Sequence, residues 1–239
     1  MEDITYRAIK TLKEVDIIAA EDTRRTKKLL AHYDIHNKII SYHDYNKISI
    51  SKKLLSFLLS NKTIGLVSDA GTPCISDPGF YLVRKALEND IKLVSIPGSS
   101  ATLASLVVSG LPTDRFIFEG FLPRGKGKKR KRLEELSNET STLIFFEYPY
   151  RIQATLREIY LILGNRKIVI ARELTKIYEE ITRIELQQID FENFKKPKGE
   201  ITLVVEGIKK SKSRVKEQGT RGKSDGSNLA FSCPLTLAP

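Results

Sequence analysis

Ser68-Asp69-Ala70-Gly71-Thr72-Pro73-Cys74-Ile75-Ser76-Asp77-Pro78-Gly79 is the stretch of this 239-residue chain from which the fold is read. The run before it, Thr63-Ile64-Gly65-Leu66-Val67, is short and apolar enough for a buried strand, and Phe80 to Leu87 after it has the spacing of a helix. Asp77 is placed to cap that helix, with Pro78 at its first position. A strand, a tight turn and a helix start make the βα corner at which open α/β sheets hold ligands. The same residues also fit an ordinary connecting turn. Charge narrows the ligand, because the loop contains Asp69 and Asp77 and no base. A polyphosphate would be repelled, whereas a ligand with a positive centre, approached closely by main chain at Gly71 and Gly79, suits it.

The pattern repeats on both sides. Val15 to Ala20 is strand-like and ends in Glu21-Asp22-Thr23-Arg24-Arg25, with a helix following to Tyr33; the two acids fit either a helix cap or a ligand site. Ile39 to Tyr42 and Lys92 to Ile96 read as further strands, and Ser49 to Ser60 as a helix. The second of those strands leads into Pro97-Gly98-Ser99-Ser100-Ala101, where a glycine and a capping serine repeat the logic of the first loop. Gly110-Leu111-Pro112-Thr113-Asp114 reads as a hinge. A second unit follows, with strands expected at Phe116 to Phe121, Thr142 to Phe146, Lys167 to Ala171, Tyr178 to Leu186 and Glu200 to Val205. The expected architecture is α/β in two parts, residues 1–113 and 114–208, with a disordered basic tail over 209–239.

Composition bounds the function. No apolar run is long enough to span a membrane, the start has no secretory pattern, and Cys74 and Cys233 lack zinc or disulfide spacing, so a cytoplasmic protein without a metal is expected. The formal charge of +11 is local. Arg124, Lys126, Lys128, Lys129, Arg130, Lys131 and Arg132 stand together without an acid, and 209–239 carries a net +5. A run of seven bases points to a nucleic-acid backbone, against the plainer reading of a solvated helix.

Ser68 to Gly79, with Ala20 to Arg24, Ile96 to Ala101, Phe118-Glu119-Gly120-Phe121-Leu122-Pro123 and Arg172-Glu173-Leu174-Thr175-Lys176, resembles the ribosomal RNA small subunit methyltransferase I family, within the tetrapyrrole methylase (class III methyltransferase) superfamily. The resemblance implies two α/β domains with a ligand cleft between them, S-adenosyl-L-methionine as methyl donor, 2′-O-methylation of a cytidine in 16S rRNA of the small ribosomal subunit, and a homodimer. It carries cofactor contacts to Asp69, Ala70, Gly71, Thr72, Pro73, Ile75, Pro97, Gly98, Ser99, Ser100 and Ala101. Glu21, Asp22, Arg24 and Glu147 are the candidates for assisting loss of the hydroxyl proton. Two departures matter: the family's first strand and its Pro-Ile-Gly-Asn turn are missing ahead of Glu2, and Tyr148-Pro149-Tyr150 stands where the family carries Ser-Pro-His. A tetrapyrrole methylase and an inactive RNA-binding remnant are the rival readings, and poor cofactor binding is expected of a chain without that strand.

Overall fold

A computed structural model describes residues 2–194 and 197–209. The expected basic tail, beyond Lys209, lies outside the described residues. Thr5 opens the first helix, α1 (Tyr6–Glu14), by accepting a hydrogen bond from the Ala8 N–H, and β1 (Ile17–Ala20), α2 (Thr23–His32), β2 (Lys38–Ser41), α3 (Lys47–Leu59), β3 (Ile64–Val67), α4 (Phe80–Leu87) and α5 (Ala101–Ser109) follow. Among the described residues β1 is the centre of a three-stranded parallel sheet in the order β2-β1-β3. It is buried on both faces, which is why its four residues read as a continuous apolar run. Ile18 and Ala20 face Leu12, Leu30 and Ile35, while Ile17 and Ala19 face Tyr42, Leu54 and Leu82.

The second sheet contains β4 (Phe116–Phe121), β5 (Thr142–Glu147), β6 (Lys167–Arg172), β7 (Glu180–Glu185) and β8 (Ile201–Val205) in the order β4-β5-β8-β6-β7. Only β4 and β5 are parallel, and the other pairs are antiparallel. On one face α6 (Lys126–Glu135) and α7 (Ile152–Leu163) place Leu133, Leu136, Ile152, Leu156 and Ile159 over Leu143, Phe145, Ile168 and Leu203. On the other face Leu106 and Leu111 pack against Ile144, Val169 and Val204. Helix α5, which precedes the hinge in sequence, therefore belongs to the core of the second sheet. Residues 1–209 form one compact unit.

Two expected features differ. Residues 92–96 form no regular element and join no ladder, and Leu93 and Val94 are exposed. A β-branched run becomes a strand only where a neighbour supplies hydrogen-bond partners, and β3 pairs with β1 alone among the described strands. Asp77 does not cap α4. Gly79 holds the cap position without a side-chain bond, so the Asp77 carboxylate is left for another environment.

Candidate active site

The C-terminal ends of β1 and β3 are joined by two main-chain to carboxylate bonds. The Asp69 N–H donates to Glu21 Oε2 at 3.3 Å, and the Asp22 N–H donates to Asp69 Oδ1 at 3.1 Å. The two glycine loops meet where Thr72 Oγ1 donates to the Ser99 carbonyl at 3.4 Å. Thr5 Oγ1 ties the second loop to the start of α1 by donating to the Pro97 carbonyl at 3.2 Å. Ser100 caps α5 by accepting from the Leu103 N–H. The expected cofactor residues from both loops are thus neighbours. A Cβ added at Gly71 or at Gly98 would meet no protein atom within 4 Å, so the main chain of both loops borders open space.

Carboxylates outnumber bases in this region, with Arg25 Nε lying 3.6 Å from Asp69 Oδ2 and Arg24 held by Asp22. Burial, together with Glu21, Asp69 and Glu200, pushes Asp77 up to about 6, partly offset by a hydrogen bond from Ser68. Glu200 lies at the start of β8 and pairs with Lys176 at 3.1 Å, so the cluster draws on both sheets. Lys176 also lines an open concavity of about 480 Å³ with Glu2, Asp3, Glu173 and Tyr178. Neither glycine loop forms its wall. The glycine loops combine exposed main chain with negative charge and are the better cradle for a cationic ligand; the concavity is a separate space beside the Glu200 side of the cluster.

Of the other candidates, Asp22 is fully engaged. It caps α2 through the Arg24 N–H at 2.8 Å and holds the Arg24 guanidinium at 2.7 Å, a side-chain bond that keeps it well below the usual carboxylate range. Glu147 is buried and committed elsewhere. Its carboxylate accepts from the Tyr148 N–H and Thr155 Oγ1 and pairs with Arg151 Nε at 3.2 Å. That placement corrects the expectation of a proton acceptor, because a carboxylate with both oxygens in use inside a core has no access to a substrate hydroxyl.

The basic segment divides in two. Lys129 is buried, with Nζ donating to Thr155 Oγ1 at 3.4 Å and lying 2.9 Å from Glu158 Oε2. The latter is a charge contact rather than a well-aligned hydrogen bond, since that oxygen has no hydrogen-bond partner. Lys129 is therefore removed from the expected RNA-facing set, because its ammonium points into the layer between α6 and α7. Arg132 is held by Glu119 and Glu135, and Arg130 by Glu134. Arg124, Lys126, Lys128 and Lys131 are exposed and make no ion pair among the described residues.

Where the two sheets approach, β4 carries a register shift between Phe118 and Gly120, and Gly120 has φ +64. A Cβ there would lie 2.9 Å from Ser76 Oγ, so glycine is what lets the central loop come this close. Gly120→Ala is expected to cost about 1–2 kcal/mol from the left-handed backbone alone. Chemical denaturation checks this, and the Ser76→Ala background should recover only the smaller, steric part.

Residues 1–190 match the family of Tetrapyrrole (Corrin/Porphyrin) Methylases. "Ribosomal RNA small subunit methyltransferase I" of Halalkalibacterium halodurans is 52% identical over 208 residues, 87% of this chain and 72% of that protein. The chain belongs to the ribosomal RNA small subunit methyltransferase I family. The Thermotoga maritima member of that methyltransferase family is 47% identical over 87% of this chain and 93% of its own length. The tetrapyrrole methylase fold is also shared with the solved methyltransferase CobJ, at TM-score 0.63 and 16% identity, covering 86% of this chain and 89% of that one. A uroporphyrin-III C-methyltransferase from Thermus thermophilus, complexed with S-adenyl homocysteine, gives TM-score 0.59 at 20% identity over 85% of this chain and 91% of its own.

Sequence reasoning for this methyltransferase missed Asp77 as part of the carboxylate cluster. It was assigned to a cap on spacing, and only the packing of β1, β3 and β8 reveals its neighbours.

Proposed function

We propose that this chain transfers a methyl group from S-adenosyl-L-methionine to a cytidine ribose 2′-hydroxyl in 16S rRNA of the small ribosomal subunit. The observation that carries the reading is the pair of glycine loops whose open main chain is framed by Glu21, Asp69 and Asp77. A sulfonium is a cation with an adenosine and an amino-acid arm, and such a cradle fits it by charge and by main-chain approach. When bound, the cofactor supplies an electrophilic methyl group, which moves from sulfur to the ribose oxygen while the hydroxyl proton leaves. The task of the protein is alignment and charge. Asp69, Ala70, Gly71 and Thr72 on one loop and Pro97 to Ala101 on the other hold the donor, with Pro73 and Ile75 completing the turn. Glu21 and Asp77 are the carboxylates assigned to take the proton. Arg24 fixes Asp22 and with it the start of α2. Arg124, Lys126, Lys128 and Lys131 provide the phosphate contacts, and the assembly is a cytoplasmic homodimer.

Small ribosomal subunits lacking the modification, incubated with methyl-labelled cofactor, should gain label at a ribose oxygen. Label on a precorrin-type macrocycle and none on the subunit would replace this reading with the tetrapyrrole one.

Asp77 gives a pH prediction with a defined sign. The folded protein binds this proton more tightly than an unfolded chain, whose carboxyl has the ordinary value of 3.8. Stability therefore falls as pH rises from about 4 to about 6, and the cost is complete above that. Asp77→Asn should stabilise the free protein at neutral pH by about 1 kcal/mol, discounted for a half-buried and partly screened group, and have little effect at pH 4. The same substitution should weaken cofactor binding several-fold. Melts at the two pH values and calorimetry with S-adenosylmethionine read both effects; destabilisation at neutral pH would remove Asp77 from the cluster.

A further inference from the structure

Phe121, Tyr148 and Tyr150 make a ladder of rings at the C-terminal ends of β4 and β5. Phe121 and Tyr148 stack with centroids 4.6 Å apart and planes 16° from parallel, and Tyr148 and Tyr150 stack at 5.6 Å and 22°. Phe146 seats the inner end edge-on against Phe121 at 5.6 Å. The outer end is open, since Tyr150 is 65% and Phe121 41% exposed. Stacking that buries so little apolar surface does little for the fold.

The mounting is rigid. Arg151 lies 5.9 Å from the Tyr148 ring centroid, donates to the Leu122 carbonyl at 2.8 Å and the Pro123 carbonyl at 3.4 Å, and is held by the buried Glu147. The ladder is thereby fastened to the strand end from which the unpaired bases Arg124, Lys126 and Lys128 continue. Phe121 also adjoins Gly120, whose close approach to Ser76 places the root of the ladder beside the central loop.

We propose that this ladder is a stacking platform that receives an unpaired nucleobase of the RNA on the outer face of Tyr150. An aromatic face flanked by uncompensated positive charge is the combination that holds single-stranded nucleic acid, with bases stacking on rings and phosphates on the cations. A duplex offers no free base face and does not use the platform. The inference rests on the proposed RNA substrate, and it adds a site that acts on bases rather than phosphates.

The test uses the full chain and a single-stranded oligoribonucleotide of the target sequence containing 2-aminopurine, whose fluorescence falls when it stacks. Tyr150→Ala should weaken binding roughly 5- to 100-fold and abolish the quenching, with the dependence of affinity on salt unchanged. Tyr150→Phe should match wild type, because a ring without a hydroxyl still stacks. Lys126→Ala with Lys128→Ala should instead flatten the salt dependence by about 0.7 units per lost contact and keep the quenching. Calorimetry with S-adenosylmethionine on Tyr150→Ala confirms an intact fold. Wild-type affinity and quenching in Tyr150→Ala, or loss of both in Tyr150→Phe, overturns the platform while leaving the RNA reading in place. A wild-type chain that binds cofactor but neither the oligoribonucleotide nor the small ribosomal subunit overturns the RNA reading and the platform with it.

Discussion

Gly98→Val is expected to leave thermal stability near wild type and to weaken S-adenosylmethionine binding by about 10- to 100-fold. The position is exposed, its backbone lies outside the left-handed region, and a Cβ there has no protein atom within 4 Å. Valine therefore costs the free protein little. In the complex the new side chain would occupy space assigned to the ligand, and misfit of that size is typically worth about 1–3 kcal/mol. Gly71 is a less clean probe, because φ +75 makes any larger residue strained whether or not a ligand is present. Calorimetry and melting of Gly98→Ala and Gly98→Val separate the two effects: a graded loss of affinity at constant stability supports the cradle. Undiminished binding by Gly98→Val would move the cofactor away from this loop.

Lys129→Ala is expected to be the most destabilising change in the basic segment, by about 3–5 kcal/mol, since it leaves the Glu158 carboxylate without its partner in a partly closed layer. The loss extends further than one pair. Arg151, Glu147, Thr155, Lys129 and Glu158 form a continuous chain of contacts between the end of β5 and the α6–α7 layer. Lys128→Ala, one residue away and exposed, should change stability by no more than about 0.5 kcal/mol. Denaturant melts of the two single variants provide the comparison. Equal midpoints would mean that Lys129 is solvated and belongs with the phosphate-binding bases after all.

Lys128 and Lys129 also show what was legible in the sequence. A run of bases states the charge of a segment, but which members face water depends on helical phase and on the helix packed alongside. Here α7 supplies Thr155 and Glu158, and neither is adjacent in sequence. The fold was more accessible, because β1 and β3 are short apolar runs bounded by turns and their identity depends mainly on local pattern. Lys92 to Ile96 had the same local pattern and joined no ladder, since strand formation needs a partner that composition does not report. Glu147 was misread for a related reason: a carboxylate at a strand end has the position of a site residue, and the burial that commits it to Arg151 and Thr155 is a tertiary fact. Tyr148 and Tyr150 were visible as a departure from the family pattern, but the stacking of Tyr148 on Phe121 was not, because that pair crosses from the end of β5 to β4.

The central loop holds Cys74 and Ser76 at φ 73 and 62, besides Gly71 at 75, and fixes them with the Ile75 N–H on the Thr72 carbonyl and with Ser76 against β4. Ordering a backbone residue costs about 1–2 kcal/mol, and for this loop that entropy is surrendered during folding rather than when a ligand arrives. In the proposed reaction the sulfonium loses its positive charge with its methyl group, and the attraction of Glu21, Asp69 and Asp77 weakens at that moment. The spent donor is then held less tightly, because its charge has gone.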